Sequence, residues 1–249
     1  MGIIDVKEVS FSFANGEGPK ILDSVSFDAD EYEFVSLVGP SGCGKSTLLR
    51  IIAGLIHPTS GSVSYMGSTI SQPIRDISFV FQDFALLPWL TNVDNVSVGL
   101  SHTKMNEKEK EKVSIEMLKK LDLGGFEYAY PNVLSGGMKQ RVGLARALIS
   151  NPKVLLMDEP FSSLDELTAR ALRSEVIRIL KDKAQSVSSV IMVSHNVEEA
   201  VELSDKIVIF SNKPTHVKAI KQISLGDNRN RHSKEFMKIV DETYSLLVG

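Results

Sequence analysis

The 249-residue sequence contains a single cysteine and a single tryptophan. It has no apolar run near the ~20 residues that a bilayer-spanning helix needs. The lone Cys43 excludes an intramolecular disulfide and fits a reducing compartment. Positive charge is not in excess: 28 Lys and Arg stand against 31 Asp and Glu, so no basic field exists to draw in nucleic acid. The opening stretch, MGIIDVKEVSF, lacks a basic segment followed by a long apolar core, and no secretory signal is expected. What remains is an ordinary globular composition, 43% hydrophobic and 24% charged, of a length that suits one large domain or two interleaved subdomains. A cytosolic protein is expected by elimination.

Short apolar runs punctuate the chain. Residues 4–13 predict a strand in which Val9, Phe11 and Phe13 alternate with Ser10 and Ser12. Residues 15–19, NGEGP, predict a turn, and residues 24–28 a second extended stretch. The runs at 34–38, 77–81, 154–157, 190–193 and 207–210 are short, rich in β-branched residues and without alternation. Strands buried on both faces of a parallel sheet read this way. Helical segments separate the later ones, so the expected core is an α/β layered sheet. Between Asp83 and Pro152 the pattern becomes helical; residues 104–120 are heavily charged, with Val113, Met117 and Leu121 predicted along one face. After Asn212 a short tail is expected, ending in a helix over 233–247.

One stretch carries explicit chemistry. Residues 39–47 read GPSGCGKST, between an apolar strand and a helical run. Gly39, Gly44, Lys45 and Ser46 fill the fixed positions of the phosphate-binding loop G-x-x-x-x-G-K-[ST]. Glycines let backbone N–H groups turn toward a phosphate, and the helix that follows adds its positive end. Lys45 would reach the β- and γ-phosphates and the Ser46 hydroxyl would hold Mg²⁺. Further on, the apolar strand VLLM ends in Asp158 and Glu159; beside a phosphate loop, the first suits Mg²⁺ and the second can take a proton from an attacking water. Ser135-Gly136-Gly137 opens another helical run, either as a second anion-binding helix start or simply as a serine-capped helix.

Taken together these motifs resemble the ATP-binding-cassette (ABC) ATPases. LSGGMKQR, from Leu134 to Arg141, looks like the family signature and precedes VLLMDEP as in that family. Gln82 in FVFQD resembles the Q-loop, SSLD ending at Asp165 the D-loop, and Val193-Ser194-His195 the switch histidine. The resemblance implies an α/β fold: a RecA-like P-loop NTPase core with an antiparallel β-subdomain and an inserted α-helical subdomain. The expected division is 1–83 and 153–211 for the core with its β-subdomain, 84–152 for the helical signature subdomain and 212–249 for the C-terminal tail.

By the same resemblance ATP and Mg²⁺ are the expected ligands. Gly39, Pro40, Ser41, Gly42, Cys43, Gly44, Lys45, Ser46 and Thr47 would bind the phosphates, and Phe13 would stack on adenine. Ser46, Gln82 and Asp158 would surround Mg²⁺. Glu159, His195 and Gln82 form the catalytic set. Ser135, Gly136, Gly137 and Gln140 would face the ATP of an opposite subunit, with Asp165 in the D-loop. Two cassettes, identical or paralogous, would pair head to tail around ATP and part after hydrolysis. Tyr32, Lys139 and Asn196 depart from the residues most common in the family (glycine, glutamine and aspartate), and the turn at Tyr32 is the one place where local geometry is expected to differ.

Long coiled-coil insertions and a second cassette, marks of soluble ABC proteins that act on DNA or ribosomes, are absent. That alternative is therefore the weaker one. The segment FQDFALLPWLT resembles the pattern of the nitrate, sulfonate and taurine importer group. This implies a peripheral subunit on the cytoplasmic face of a bacterial or archaeal membrane, with permease subunits and, indirectly, an extracytoplasmic solute-binding protein as partners and no nucleic acid. The apolar stretch Leu86-Leu87-Pro88-Trp89-Leu90 is expected to dock a permease helix.

Overall fold

The protein is described here by a computed structural model covering residues 2–14, 17–181, 186–226 and 229–248, with the backbone alone at 179–181. Asn15 and Gly16 of the expected turn lie outside the described residues. In chain order the first elements are β1 (Ile4–Ser12), β2 (Lys20–Ala29), β3 (Phe34–Val38), α1 (Lys45–Ile52), β4 (Ser60–Tyr65), β5 (Ser68–Thr69) and β6 (Ile77–Val80). Then come α2 (Asn92–Ser97), α3 (Glu107–Lys120), α4 (Gly136–Leu148), β7 (Val154–Asp158) and α5 (Glu166–Lys181). The chain ends in β8 (Ser189–Ser194), α6 (Val197–Leu203), β9 (Lys206–Phe210), β10 (Val217–Gln222) and α7 (Lys234–Val248). It divides into two units, Met1–Ile74 with Ser188–Gly249, and Arg75–Val187.

The first unit holds an antiparallel sheet in the order β2-β1-β4-β5. Its other strands centre on β3, which runs parallel to β8 on one side and to β9 on the other. All five residues of β3, all six of β8 and all five of β9 are buried. That is why their sequences are continuous apolar runs rather than alternating ones. On β1, Phe11 is buried whereas Phe13, just past the strand end, is 54% exposed. The two rings still meet edge to face at 5.1 Å.

The segment after Asn212 is more structured than the expected tail. β10 pairs antiparallel with β9. Its alternation was hidden because Lys221 lies on the half-buried side, in an ion pair with Glu242 of α7, while Ile220 is exposed. The expected terminal helix is α7, whose Phe236 and Val240 join Val38, Val197, Ala200, Ile207 and Ile209 in one apolar cluster. Arg229 donates to the carbonyls of Val201, Glu202 and Ser204, satisfying the C-terminal end of α6.

The second unit pairs β6 with β7 in parallel and carries α2 to α5. Helix α3 starts in a capping box, Asn106 and Glu109 each accepting from the other's backbone N–H. Its fully buried residues are Ser114 and Leu118; of the expected stripe Val113, Met117 and Leu121, the first two are half-buried and Leu121, at the helix C-cap, is buried. Ser114 and Ser97 of α2 share a 2.9 Å hydroxyl bond, which draws a small polar residue inward where only apolar ones were counted. The charged face of α3 is solvated.

At Tyr32, where glycine is the common residue, the turn keeps a glycine-like conformation: φ is 63° and the side chain is 82% exposed. The Tyr32 amide donates to the Ser188 carbonyl, which fixes the backbone despite the Cβ. Left-handed φ costs a residue with a side chain about 1–2 kcal/mol. Tyr32→Gly is therefore expected to stabilise the chain by roughly 1 kcal/mol, about 2–4 °C in Tm for a protein of this size. Tyr32→Ala, which keeps the Cβ, should give no such gain in a thermal melt.

Candidate nucleotide site

The phosphate loop belongs to the first unit. It leaves β3 at Gly39 and enters α1 at Gly44, the N-cap, which has φ 115° and no side-chain cap bond. No side chain therefore competes for the first-turn amides at the position where an anion would accept from them. Glycine is required here by space as well as by φ. A Cβ on Gly44 would stand 2.7 Å from Ile21 Cγ2, and one on Gly39 would stand 2.9 Å from Phe210 Cβ. Gly42, at φ 71°, faces open space.

Lys45 is buried and its ammonium donates to the carbonyls of Gly39 at 2.7 Å and Pro40 at 2.9 Å. The positive charge is thus held across the loop itself. Cys43 is buried, with its Sγ 3.9 Å from Lys45 Nζ. Ser41 and Gly42 are exposed, whereas Pro40, Ser46 and Thr47 are half-buried. Thr215, absent from the expected set, donates its buried hydroxyl to the Cys43 carbonyl. The only sequence hint was Pro214 breaking the tail. In the same unit His195 is exposed in the turn between β8 and α6. Asn196 caps α6 by accepting from Glu199 N–H at 3.1 Å, as the more common aspartate would, so this departure is absorbed.

The second unit brings together Gln82, Asp158 and Glu159 around the end of β7. Asp158 is its last, buried residue. Glu159 follows at φ 47°, a left-handed conformation costing on the order of 1–3 kcal/mol and typical of functional sites. Its backbone carbonyl accepts from the Ser162 hydroxyl at 3.0 Å, and Gln82 Nε2 donates to its Oε2 at 3.2 Å. The expected Mg²⁺ residue Gln82 and the expected base Glu159 are therefore direct neighbours.

Ser135 is the N-cap of α4, its hydroxyl accepting from Met138 N–H at 3.3 Å. Ser135 and Gly136 are exposed, Gly137 and Gln140 buried, and Lys139 half-buried. A Cβ on Gly137 would lie 2.3 Å from Thr168 Cγ2, so the signature turn fits against the first turn of α5 only as glycine. Asp165 caps that helix, its Oδ1 accepting from Thr168 N–H at 3.1 Å. Hydrogen bonds from Thr168 hold its carboxyl below the usual carboxylate range. Deeper in, Glu175 of α5 is pushed up by burial while Arg141 of α4 opposes the shift, its Nε 3.4 Å from Oε2.

In the Leu86–Leu90 stretch Trp89 is 70% exposed and the leucines are half-buried. Asn95, fully buried, holds the stretch from beneath: its Oδ1 accepts from Leu87 N–H, and its Nδ2 donates to the carbonyls of Leu87, Leu90 and Thr91. Beside it lies a shallow groove of about 440 Å³ lined by Leu90, Asp94, Val98, Glu107, Lys110 and Glu111 among others. No described helix is long and apolar enough to cross a membrane.

The ABC transporter family model matches residues 22–162. An aliphatic sulfonates import ATP-binding protein of Bacillus thuringiensis is 39% identical over 237 residues, 95% of this chain and 92% of that one. A taurine import ATP-binding protein of Rhizobium johnstonii is 38% identical over 252 residues, 98% of this chain and 95% of that one. Among solved structures, a dimeric ATP-binding cassette in a post-hydrolysis state bound to ADP and Pi aligns with a TM-score of 0.77 at 33% identity, covering 89% of this chain and 99% of that one. Its phosphate loop, signature turn and strand-end carboxylates thus sit on the fold of an ATP-binding cassette, and the chain belongs to the ABC transporter family, resembling the ATP-binding proteins of sulfonate and taurine importers.

Proposed function

We propose that this chain is the ATP-binding and ATP-hydrolysing subunit of a membrane importer for a small solute of the nitrate, sulfonate and taurine type. The observation that carries the proposal is the phosphate loop: a glycine N-cap without a side-chain cap, and a buried lysine aimed across the loop. The sulfonate and taurine import proteins that resemble this chain along nearly its whole length support the importer reading.

The proposed roles follow from chemistry. The loop amides from Gly39 to Thr47 bind the phosphates and Lys45 neutralises their charge. Ser46, Gln82 and Asp158 are the proposed oxygen ligands of Mg²⁺, which when bound offsets charge on the β- and γ-phosphates. A buried carboxylate ending a strand and an exposed amide beside Glu159 fit a hard cation that takes oxygen ligands. Glu159 accepts the proton of the attacking water, with its carboxylate oriented by Gln82. Phe13, exposed and braced edge to face by Phe11, stacks on adenine. His195 contacts the γ-phosphate and the partner copy's D-loop, while Ser135, Gly136, Gly137 and Gln140 serve the other copy's ATP. The dimeric cassette of similar fold supports this pairing. ATP bridging two half-sites favours the closed pair, and loss of the γ-phosphate releases it.

The permease is the proposed partner of the exposed Trp89 and the groove beside it. With Asp94, Glu107 and Glu111 against Lys110, the groove is net acidic, so an amphipathic helix with basic residues fits it best. The proposed location is accordingly the cytoplasmic face of the membrane.

Glu159→Gln keeps the shape of the side chain and removes its basicity. Turnover should fall by about 10²–10⁴-fold while ATP binding persists. With ATP and Mg²⁺ the variant should run as a dimer on size exclusion. A monomer, or native turnover, contradicts the role of Glu159.

Lys45→Ala acts earlier in the cycle. It should weaken ATP binding itself, measured by calorimetry, because the ammonium meets the phosphates in ground and transition states alike. Undiminished affinity contradicts the phosphate-loop reading.

Trp89→Ala should leave the isolated chain folded and hydrolysing ATP, since the ring is mostly in solvent, yet weaken co-purification with the proposed permease partner. Normal assembly, or unfolding of the variant, counts against docking at this surface.

A further inference from the structure

We infer that Arg146 is a positioning residue for Gln82, latching the turn that carries this glutamine to the helix that begins with the signature. The inference rests on the ATPase reading above and concerns a residue outside every role assigned there.

Arg146 lies in the last turn of α4. One guanidinium makes two bonds to consecutive carbonyls: Nη2 to Phe84 at 2.8 Å and Nη1 to Ala85 at 2.7 Å. The planar fork of arginine meets the two carbonyls with two N–H groups in a fixed geometry, which a lysine ammonium on its flexible stem does not reproduce. Both residues it grips are left-handed, Phe84 at φ 64° and Ala85 at φ 46°, and neither is glycine. Two adjacent residues in a region disfavoured for L-amino acids persist only where the surroundings hold them. The bond from Phe84 N–H to the Phe81 carbonyl, 3.1 Å, closes a turn whose corner is Gln82 and Asp83. Arg146 therefore fixes the exit of the very turn that points Gln82 at Glu159.

The other end of the same helix gives the latch its meaning. α4 starts at Ser135-Gly136-Gly137 and reaches Arg146 about ten residues later, roughly 15 Å along the axis. Between them Val142, Gly143, Leu144 and Ala145 are buried. A helix packed along its length moves as one body, so a displacement at the signature turn is carried to the Gln82 turn rather than absorbed between them. Through Arg146, contact at the signature and placement of Gln82 become one mechanical event. Burial lowers the pKa of this guanidinium, and the nearby Asp83 opposes that shift.

The test uses the full chain with Arg146→Gln and the conservative Arg146→Lys. In the nucleotide-free protein, hydrogen exchange should rise about tenfold or more at residues 84–87 in Arg146→Gln, with residues 142–145 of α4 unchanged. In steady-state ATP hydrolysis kcat should fall about 10- to 100-fold with KM for ATP within about twofold, because the glutamine is misplaced while the phosphate loop is intact. Arg146→Lys should fall between the two. Unchanged exchange at 84–87, an unchanged kcat, or exchange rising equally throughout α4 would overturn the inference. If the parent chain itself fails to hydrolyse ATP, the function reading fails instead, and the exchange measurement still decides whether the latch exists.

Discussion

The first unit turns on one constraint: the backbone at the start of α1 leaves no room for side chains, which keeps its amides open to the phosphate proposed to bind there. Gly39 meets this under Phe210, Gly44 against Ile21, and Gly42 through φ alone. Those contacts come from β9 and β2, far apart in the chain, and the Thr215 hydroxyl adds a third restraint on the Cys43 carbonyl. The buried strands β3, β8 and β9 hold the loop from below, and α7 closes the apolar cluster that contains Val38, the residue immediately before it. A loop pressed from several sides in this way is preorganised, and a preorganised site avoids the ordering cost that a floppy one would bear on binding.

The second unit shows a different use of the same physics. Its left-handed residues without glycine include Phe84, Ala85 and Glu159, each next to a group with a proposed chemical role. Each is restrained by a specific bond: Arg146 on the first two, the Ser162 hydroxyl on the third. Tyr32 is a counterexample, being left-handed and exposed with no proposed chemical role. Strain by itself therefore does not mark function here; at Phe84, Ala85 and Glu159 it coincides with roles proposed on other grounds.

Much was legible in the chain of residues. The phosphate loop, the strand-end pair Asp158 and Glu159, the signature turn and the buried strands all declare themselves, because each depends on local order: glycines at fixed spacing, an apolar run, a hydroxyl before a helix. The family itself is legible for the same reason, since its motifs are short and come in sequence. β10 was missed because its inward side carries a lysine that pairs with Glu242, and the inward face of α3 was only partly legible because a buried serine pair shares it with Leu118 and Leu121.

What the sequence by itself determined is which groups are available for phosphate, metal and proton chemistry. What only the tertiary structure decided is how they are held. That Gln82 bonds Glu159, that Arg146 grips Phe84 and Ala85, that Asn95 buckles the Leu86–Leu90 stretch and that Gly137 leaves room for Thr168 are facts of approach in space. An arginine in a helix and an asparagine in a short one look the same on paper whether they face water or a carbonyl. Hydrogen bonds and van der Waals exclusion act over a few ångströms through space, and only folding brings residues as much as 77 positions apart, as Gln82 and Glu159 are, within that range.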